Sequence, residues 1–506
     1  MSVTAIRGEP GAAEPPAHTL TRQVVVGGIP AQRSGFQPRP GLLKRLNWAS
    51  QGPPVVVVLA GPPGAGKTQL AAAYARARLA GGWRLIAWVD ARASETLLAG
   101  LAAVAEAAAL SDGGSRPDAV QALVRWLEAD GSRCLLVFDG AEDLDLLRPF
   151  LPAAGSARVL ITQDQAPAAE LGASVPVDAF TTEEALALLS GRTGLTDRAG
   201  AAAVAAELGY LPLGLDQAAT VITGQHLGYA AYLAKLKALP AKDDLASAED
   251  QPRARAVAGA VLLSLEAARA ADPLGVCPGV MEFMAVLSPG AVRRGVLHAA
   301  GQTGALLGGG RRVAAFMVDQ ALERLNRRSL LDVSLDGQTV SAHGLVARVI
   351  REGLDRRGRL ATVWRAAAAA LQPSAEMPGQ VTALLDNAEP DHPDTMSTLI
   401  SLAEAYHTAG RIADAIPVVR QVLAARERQL GPDHPSTLAS RNNLATAYRA
   451  TGRAAEAISL FEQNLAACER LLGADHPKTV ASRHHLDLAR QDLVDQVGGE
   501  FQDDGA

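Results

Sequence analysis

Residues 55–68 read V-V-V-V-L-A-G-P-P-G-A-G-K-T, and this stretch decides the fold class. The four valines and the leucine predict a short buried β-strand, and residues 69–75, Q-L-A-A-A-Y-A, favour a helix. The order of strand, glycine-rich turn and helix is the context in which the pattern G-x-x-x-x-G-K-T binds phosphate. The sequence therefore predicts a phosphate-binding loop at residues 61–68. The alternative is a glycine turn that joins a strand to a helix without binding a ligand.

Each residue type in this loop has a physical role. Gly61, Gly64 and Gly66 permit backbone conformations and a close approach that a Cβ would hinder, so successive N–H groups can point at a phosphate. The positive end of the following helix adds to this attraction. Lys67 is expected to reach the β- and γ-phosphates, and the Thr68 hydroxyl is expected to ligate Mg²⁺.

The composition is that of a globular chain with several domains. Its 506 residues are 48% hydrophobic and 20% charged, and the net charge of −5 offers no electrostatic argument for a nucleic-acid partner. The three cysteines lie far apart in sequence and suggest neither a metal site nor a disulfide framework. No apolar run approaches the ~18–20 residues of a membrane span, and the first twenty residues or so lack the apolar core of a signal peptide. We therefore expect a cytoplasmic protein with no membrane partner.

Apolar runs after the loop predict an α/β domain. Residues 84–90, 133–139, 157–162 and 173–177 read as strands, and helical segments separate most of them. Near-continuous apolar runs are typical of strands buried on both faces of a parallel sheet. We expect a doubly wound parallel sheet that binds its ligand at the carboxyl ends of the strands.

The pattern changes to helical after residue 181. Later, residues 330–335 and 338–343 flank Asp336-Gly337 and predict a β-hairpin. Helices followed by such a hairpin suggest a winged-helix module. DNA contact by the hairpin is an alternative, but the nearby arginines are few and scattered.

The last part of the chain is a repeat. The tripeptide Asp-His-Pro recurs every 42 residues, at Asp391, Asp433 and Asp475, and small residues and a tyrosine keep the same register. This pattern predicts tetratricopeptide-type helix pairs in a lengthened repeat, with the third unit as a degenerate cap. We interpret the histidines as turns and N-terminal helix caps, not as metal ligands. The first repeat helices are expected to pack on residues 364–371.

The motifs together resemble the NB-ARC branch of the signal-transduction ATPases with numerous domains (STAND), in the bacterial form followed by tetratricopeptide repeats. The segments that carry the resemblance are residues 36–39, 61–68, 135–139, 208–215 and 342–346. The resemblance implies that the chain binds ADP or ATP with Mg²⁺.

The resemblance also implies roles for single residues. Arg39 belongs to the motif that precedes the nucleotide-binding sheet. Asp139 matches the acid that holds Mg²⁺ directly or through water. Pro212 matches the proline that packs near the adenine, and His343 matches the histidine that contacts the ADP phosphate in the closed state. The plainer alternatives are a strand end at Asp139, an ordinary turn at Pro212, and a core or surface histidine at position 343.

Three departures from the family pattern bear on hydrolysis and on locking the ADP state. Gly140 stands where relatives often have a second acid, so Glu142 or Asp143 would have to position the water. Residues 161–165 lack the arginine that senses the γ-phosphate, and Gly344 replaces the aspartate of the segment that locks the ADP state. With Asp139 and Glu142 as the catalytic candidates, we expect tight nucleotide binding with turnover below about one per minute, against about 10 s⁻¹ for ordinary enzymes.

The predicted organisation is a disordered leader (1–22), a P-loop α/β nucleotide-binding domain (23–180), a helical lid (181–275), a winged-helix-like domain (276–355), a helical linker (356–388), tetratricopeptide repeats (389–497) and a tail (498–506). The predicted function is an ADP/ATP switch whose repeats sense a protein or peptide ligand. Because only about twenty residues precede Gln23, we expect the effector to be a separate protein acting in trans. A nucleotide-stabilised repeat scaffold and a transcriptional regulator of the same architecture are the alternatives, and a nucleotide-dependent homo-oligomer is left open.

Overall fold

The computed structural model describes residues 22–33, 35–49, 55–110, 116–141, 143–164, 171–239, 252–287, 290–308, 310–371, 393–408 and 412–503. The predicted leader except Arg22, the candidate Glu142 and most of the predicted linker lie outside these residues. The chain forms two compact units. The first unit comprises residues 1–27, 39–61 and 70–176, and the second comprises residues 28–38, 62–69 and 177–506.

The first unit contains a six-stranded sheet in which every neighbouring pair is parallel, as the apolar runs predict. The strand order is β1-β3-β4-β5-β2-β6. All six residues of β4 are buried, because the strand lies inside the sheet with layers on both faces. The strands are β1 (Val24–Val26), β2 (Val55–Ala60), β3 (Leu85–Asp90), β4 (Cys134–Asp139), β5 (Arg158–Gln163) and β6 (Ala173–Pro176).

Helices accompany the strands in the described part of this unit. Leu101 of α3 and Leu123 and Leu127 of α4 are fully buried in the same hydrophobic core as Leu136 and Phe138 of β4. The helix that follows the glycine-rich loop belongs to both units, since the boundary falls after Gln69. The helices are α1 (Pro40–Ala49), α2 (Lys67–Ala80), α3 (Ser94–Ala107) and α4 (Arg116–Asp130).

The second unit continues with a group of helices. The first of them starts with a capping box in which the Thr181 and Glu184 side chains each accept a backbone N–H, and it ends at Gly194 with φ of 71°. Tyr229 and Tyr232 are buried in the core of the group. The helices are α5 (Thr182–Thr193), α6 (Arg198–Glu207), α7 (Pro212–Gly224), α8 (Tyr229–Ala238) and α9 (Pro252–Ala270).

A winged-helix-like module follows. The predicted hairpin is confirmed: β10 and β11 pair antiparallel around Gly337, whose φ is 70°, and β11 pairs with β7 on its other side. Both strands are shorter than the predicted runs, and Ser334, just after β10, forms a β-bridge with Pro30. The elements are α10 (Val276–Leu287), β7 (Val292–Arg293), α11 (Arg294–Thr303), β8 (Leu307–Gly308), β9 (Arg311–Arg312), α12 (Ala315–Arg327), β10 (Asp332–Val333), β11 (Thr339–Ser341) and α13 (Gly344–Asp355).

Helices make up the rest of the chain that the structure describes. Trp364 and Ala367 share a buried cluster with Leu399 and Leu402, which confirms the predicted packing of the first repeat helix. In the part of the chain that the structure describes, no helix is both long and apolar enough to cross a membrane. The helices are α14 (Leu360–Leu371), α15 (Pro393–Thr408), α16 (Ile412–Leu430), α17 (Pro435–Ala450), α18 (Ala454–Leu472) and α19 (Pro477–Asp503).

The predicted capping by the Asp-His-Pro histidines is confirmed at two repeats. The Nδ1 atom of His434 accepts the backbone N–H of Ser436 at 3.1 Å, and that of His476 accepts the N–H of Lys478 at 3.2 Å. The following proline occupies the first helical position, where its missing N–H removes no hydrogen bond. His392 lies outside the described residues.

Candidate functional site

The glycine-rich loop has the backbone geometry that its sequence predicts. Gly64 and Gly66 have φ of 81° and 93°, in a region that costs other residues about 1–2 kcal/mol. The Ala65 N–H donates to the Pro62 carbonyl at 3.2 Å and closes a turn. Helix α2 begins at Lys67, and the N–H groups in the first turn of a helix have no acceptor within that helix. Such a turn followed by a helix N-terminus is suited to an anion.

The Lys67 side chain folds back onto this loop and is shielded from solvent. The residue is 7% exposed, and its Nζ donates to the Pro62 carbonyl at 3.0 Å. Thr68 follows on the same turn and is half-buried. A buried ammonium next to a glycine loop is a charged donor held where a phosphate would lie.

The segment around Pro212 packs against the loop. Pro212 is the first residue of α7, and the next N–H, that of Leu213, donates to the Gly64 carbonyl at 3.3 Å. A Cβ added to Gly64 would lie 3.4 Å from the Leu213 Cβ, and one added to Gly66 would lie 4.0 Å from the Pro212 Cγ. The structure therefore brings together two regions that the sequence analysis selected separately.

His343 has a local structural role. It is the N-cap of α13, and its Nδ1 accepts the Leu345 N–H at 3.2 Å. Because Nδ1 is the acceptor, the neutral ring carries its proton on Nε2. That tautomer is the one in which Nε2 can donate to a phosphate.

In the first unit, Asp139 ends β4 and is held by a chain of hydrogen bonds. The residue is 6% exposed, and its Oδ1 accepts from the Thr162 hydroxyl at 2.7 Å. The same hydroxyl oxygen accepts the Gly140 N–H at 2.8 Å. A buried carboxylate requires such partners, because burial without them is costly.

Arg92 also approaches Asp139, which the sequence analysis did not anticipate. Its Nη2 lies 3.7 Å from the Asp139 Oδ2, and its Nη1 donates to the Asp90 Oδ2 at 3.1 Å. Gly140 has φ of 78°, and a Cβ at this position would lie only 2.7 Å from the Arg92 Nε. The Arg92 side chain thus lies across the space that a side chain at position 140 would enter.

Gln163 is a second residue that sequence reasoning missed. It ends β5, and its carbonyl accepts the N–H of Gly61, the first residue of the loop, at 3.3 Å. Gln163 is 8% exposed, and its buried Oε1 has no hydrogen-bond partner among the residues that the structure describes. Such an atom costs about 1–3 kcal/mol unless a ligand or water satisfies it. Gln163 thus fixes the first residue of the loop through its backbone and carries a buried polar atom that a ligand or water could satisfy.

Arg39, Glu142 and the predicted Mg²⁺ site are the remaining sequence predictions. Arg39 is half-buried, and its carbonyl accepts the Leu43 N–H at 3.0 Å at the start of α1. Glu142 lies outside the described residues. Within the described ranges, no three His, Cys, Asp or Glu side chains cluster as a metal site. Mg²⁺ at phosphate sites is usually held by one or two protein groups together with phosphate oxygens, so a cluster of three such side chains is not needed for it.

Fold and site together define a P-loop α/β protein with a helical group, a winged-helix-like module and a helical repeat. Residues 394–463 and 436–486 match the tetratricopeptide repeat family, which confirms the predicted repeats. None of the curated proteins compared with the sequence matches it.

The chain is similar to three kinds of solved structure. A STAND protein with a tetratricopeptide repeat sensor from Pyrococcus horikoshii is 13% identical, with 92% of this chain and 81% of that chain covered and a TM-score of 0.40. The Aeropyrum pernix ORC1 protein, in complex with DNA, is 16% identical over 64% of this chain and 94% of its own, with a TM-score of 0.29. A putative kinesin light chain from Podospora anserina with nearly identical TPR-like repeats is 25% identical over 37% and 83%, with a TM-score of 0.23. All three TM-scores are below 0.5, and nothing about function follows from them.

Proposed function

We propose that the chain is an ADP/ATP-binding switch of the STAND class, NB-ARC branch. One observation carries the proposal: a phosphate loop with positive φ at Gly64 and Gly66 accepts a hydrogen bond from Leu213, at the start of α7. A ligand bound to the loop could therefore change the position of the helical lid. If ATP or ADP bound more tightly to one lid position, it would shift the equilibrium between the closed and open forms.

Each candidate residue has a proposed task. Lys67 would exchange the Pro62 carbonyl for the β- and γ-phosphates, and Thr68 and Asp139 would be the protein ligands of Mg²⁺. Pro212 would pack near the adenine, and the Nε2–H of His343 would donate to a phosphate in the closed form. Arg39 would contact the nucleotide as its motif implies.

Turnover is proposed to be slow. Hydrolysis needs an oriented water and stabilisation of charge at the γ-phosphate. Position 140 has no side chain to orient water, and Arg92 lies across it. Glu142 or Asp143 would have to perform that task. Turnover below about one per minute fits a switch, since ordinary enzymes run near 10 s⁻¹.

The repeats are proposed to bind a protein or peptide and to pass the signal to a separate effector. A continuous buried cluster supports this coupling, because it runs from Met284 in α10 and Val346 in α13 through Trp364 in α14 to Leu399 in α15. Packed cores transmit displacement because they have low compressibility. A shift of α15 on ligand binding would therefore reach the winged-helix-like module.

The test is nucleotide affinity measured by calorimetry with ADP and ATP. We expect Lys67→Ala to weaken binding at least tenfold, about 1.4 kcal/mol, because the charged donor on the loop is lost. Lys235→Ala is the matched control, since Lys235 is exposed and bonds only Gln225 among the contacts of its ammonium that are described. Equal affinities of the wild type and Lys67→Ala would contradict the proposal. ATP turnover of several per second, lost in Asp139→Ala, would instead make the chain a working ATPase.

Two further functions stay as alternatives. In a scaffold with a permanent structural nucleotide, bound ADP would not exchange with added ATP. In a transcriptional regulator, a salt-dependent shift of DNA would be seen with the purified chain.

A further inference from the structure

The second unit contains an ionic cluster that none of the proposed tasks uses. We call it the ionic lock; its members are Arg33, Gln69, Arg192, Asp216 and Asp332. Its centre is a bidentate pair in which the Arg33 Nε and Nη2 donate to the two carboxylate oxygens of Asp332 at 2.5 and 2.6 Å. Bidentate arginine–carboxylate pairs combine strength with a defined geometry.

A second carboxylate extends the lock to the helical lid. The Arg33 Nη1 lies 3.5 Å from the Asp216 Oδ2 on α7. Arg192 on α5 donates to the Asp216 Oδ1 at 2.7 Å and to the Thr220 hydroxyl at 2.9 Å. Two arginines thus balance two aspartates.

The charges are shielded from solvent. The side chains of Arg33 and Arg192 are each 15% exposed, and those of Asp216 and Asp332 are 8% and 14% exposed. Burial alone would lower the pKa of the Arg33 guanidinium, but the charges and hydrogen bonds of Asp332 and Asp216 raise it above its ordinary value. Removing one partner of such a pair leaves an uncompensated charge, which is far worse than removing both.

The lock reaches the phosphate loop through Gln69. This residue follows Thr68 directly, and its Nε2 donates to the Asp332 Oδ1 at 3.2 Å. The segment that carries Arg33 is itself fixed along β10, because the Ala31 N–H donates to the Val333 carbonyl and the Leu335 N–H to the Ile29 carbonyl, both at 2.9 Å. Asp332 therefore contacts the first turn of α2 through Gln69, and the strand that carries Asp332 is paired with the segment that carries Arg33.

We propose that Arg33 and Asp332 are positioning residues that lock the winged-helix-like module and the helical lid onto the first turn of α2, so that nucleotide leaves only when the lock opens. The inference rests on the proposed function. Its physical basis is that Asp332 belongs to the module, Asp216 to the lid and Gln69 to the loop helix, while Arg33 contacts both carboxylates. The module cannot leave the first turn of α2 without breaking the Gln69–Asp332 hydrogen bond, and the bidentate pair with Arg33 holds the Asp332 carboxylate in place for that bond.

The experiment measures release of the fluorescent nucleotide mant-ADP by stopped flow from the full chain. We expect Arg33→Gln and Asp332→Asn each to raise the dissociation rate constant at least tenfold. The double variant should release more slowly than either single variant, because it leaves the neutral pair of Arg192 and Asp216. The matched control is Arg84→Gln, since Arg84 makes a bidentate pair with Asp130 at 2.9 and 2.9 Å in the first unit. Its rate constant should stay within about twofold of the wild type.

Hydrogen exchange on the nucleotide-free protein provides a second readout. Residues 332–341 should exchange faster in Arg33→Gln than in the wild type, and at the wild-type rate in Arg84→Gln. Three results would each overturn the lock. Arg33→Gln could release mant-ADP at the wild-type rate, or Arg84→Gln could accelerate release as much as Arg33→Gln does. The double variant could also release mant-ADP faster than either single variant. If the wild type binds no mant-ADP at all, the proposed nucleotide binding is wrong. The proposed role of the lock in nucleotide release is then wrong as well.

Discussion

Replacing Thr162 by valine should destabilise the first unit strongly although the two side chains have nearly the same shape. Thr162 is 1% exposed, and its hydroxyl donates to Asp139 at 2.7 Å while it accepts the Gly140 N–H at 2.8 Å. Valine removes both hydrogen bonds at once. A buried carboxylate and a half-buried N–H then each lose a partner.

The expected magnitude follows from these two groups. Each buried polar group left without a partner costs about 1–3 kcal/mol. Arg92, 3.7 Å from the Asp139 Oδ2, keeps part of the carboxylate charge compensated, so the lower part of the summed range applies. We expect a loss of about 2–4 kcal/mol in the free energy of unfolding of the first unit.

Urea unfolding followed by tryptophan fluorescence measures this loss. Four of the five tryptophans, Trp48, Trp83, Trp88 and Trp126, belong to the first unit, so the signal reports mainly on it. The control is Thr96→Val, which removes one hydrogen bond from a half-exposed hydroxyl to the Ala93 carbonyl and should cost less than about 1 kcal/mol. A Thr162→Val unfolding free energy within about 0.5 kcal/mol of the wild type would refute the reasoning, because that is the range of neutral surface changes.

Two further predictions concern the capping histidines and the thiols. His434→Ala should destabilise the repeats by about 0.5–2 kcal/mol in thermal melts, because the Ser436 N–H loses its acceptor. His434→Asn should restore most of this loss, since asparagine is also a good N-cap residue. Equal melting temperatures of the wild type and both variants would show that the cap contributes nothing. Cys134 and Cys277 are buried, and burial raises the pKa of each thiol to about 12, so neither should react with Ellman's reagent at pH 8 until the chain is unfolded. Rapid labelling of either thiol in the native protein would contradict this placement.

The features that could be predicted from the sequence are local. The apolar runs of β2 to β5 mark buried strands because side-chain burial is repeated at every position, and the spacing of Gly64 and Gly66 marks a turn with positive φ. The 42-residue recurrence predicted that these histidines are helix caps. His434 and His476 do make the same contact, because the Nδ1 atom of each accepts the N–H of the residue two positions later. None of these inferences needs the order of strands in the sheet.

The features that could not be predicted depend on that order. Because β4 lies between β3 and β5, Asp139 meets Arg92 on one side and Thr162 on the other. The Arg33–Asp332 pair joins residues 299 positions apart, and no periodicity connects them. Gly140 illustrates the difference: its sequence indicates only a missing acid, whereas its positive φ and the overlying Arg92 side chain show why glycine is required.

The placement of Arg92 over Gly140 also constrains how descendants of this chain can diverge. While Arg92 is present, a Cβ at position 140 would lie 2.7 Å from its Nε, so a side chain gained there requires the arginine to move and must also accept a positive φ. A shorter residue at position 92 removes the first of these two costs. The effect of a mutation at position 140 is therefore expected to depend on the residue at position 92. A lineage that retains this arginine should also retain this glycine.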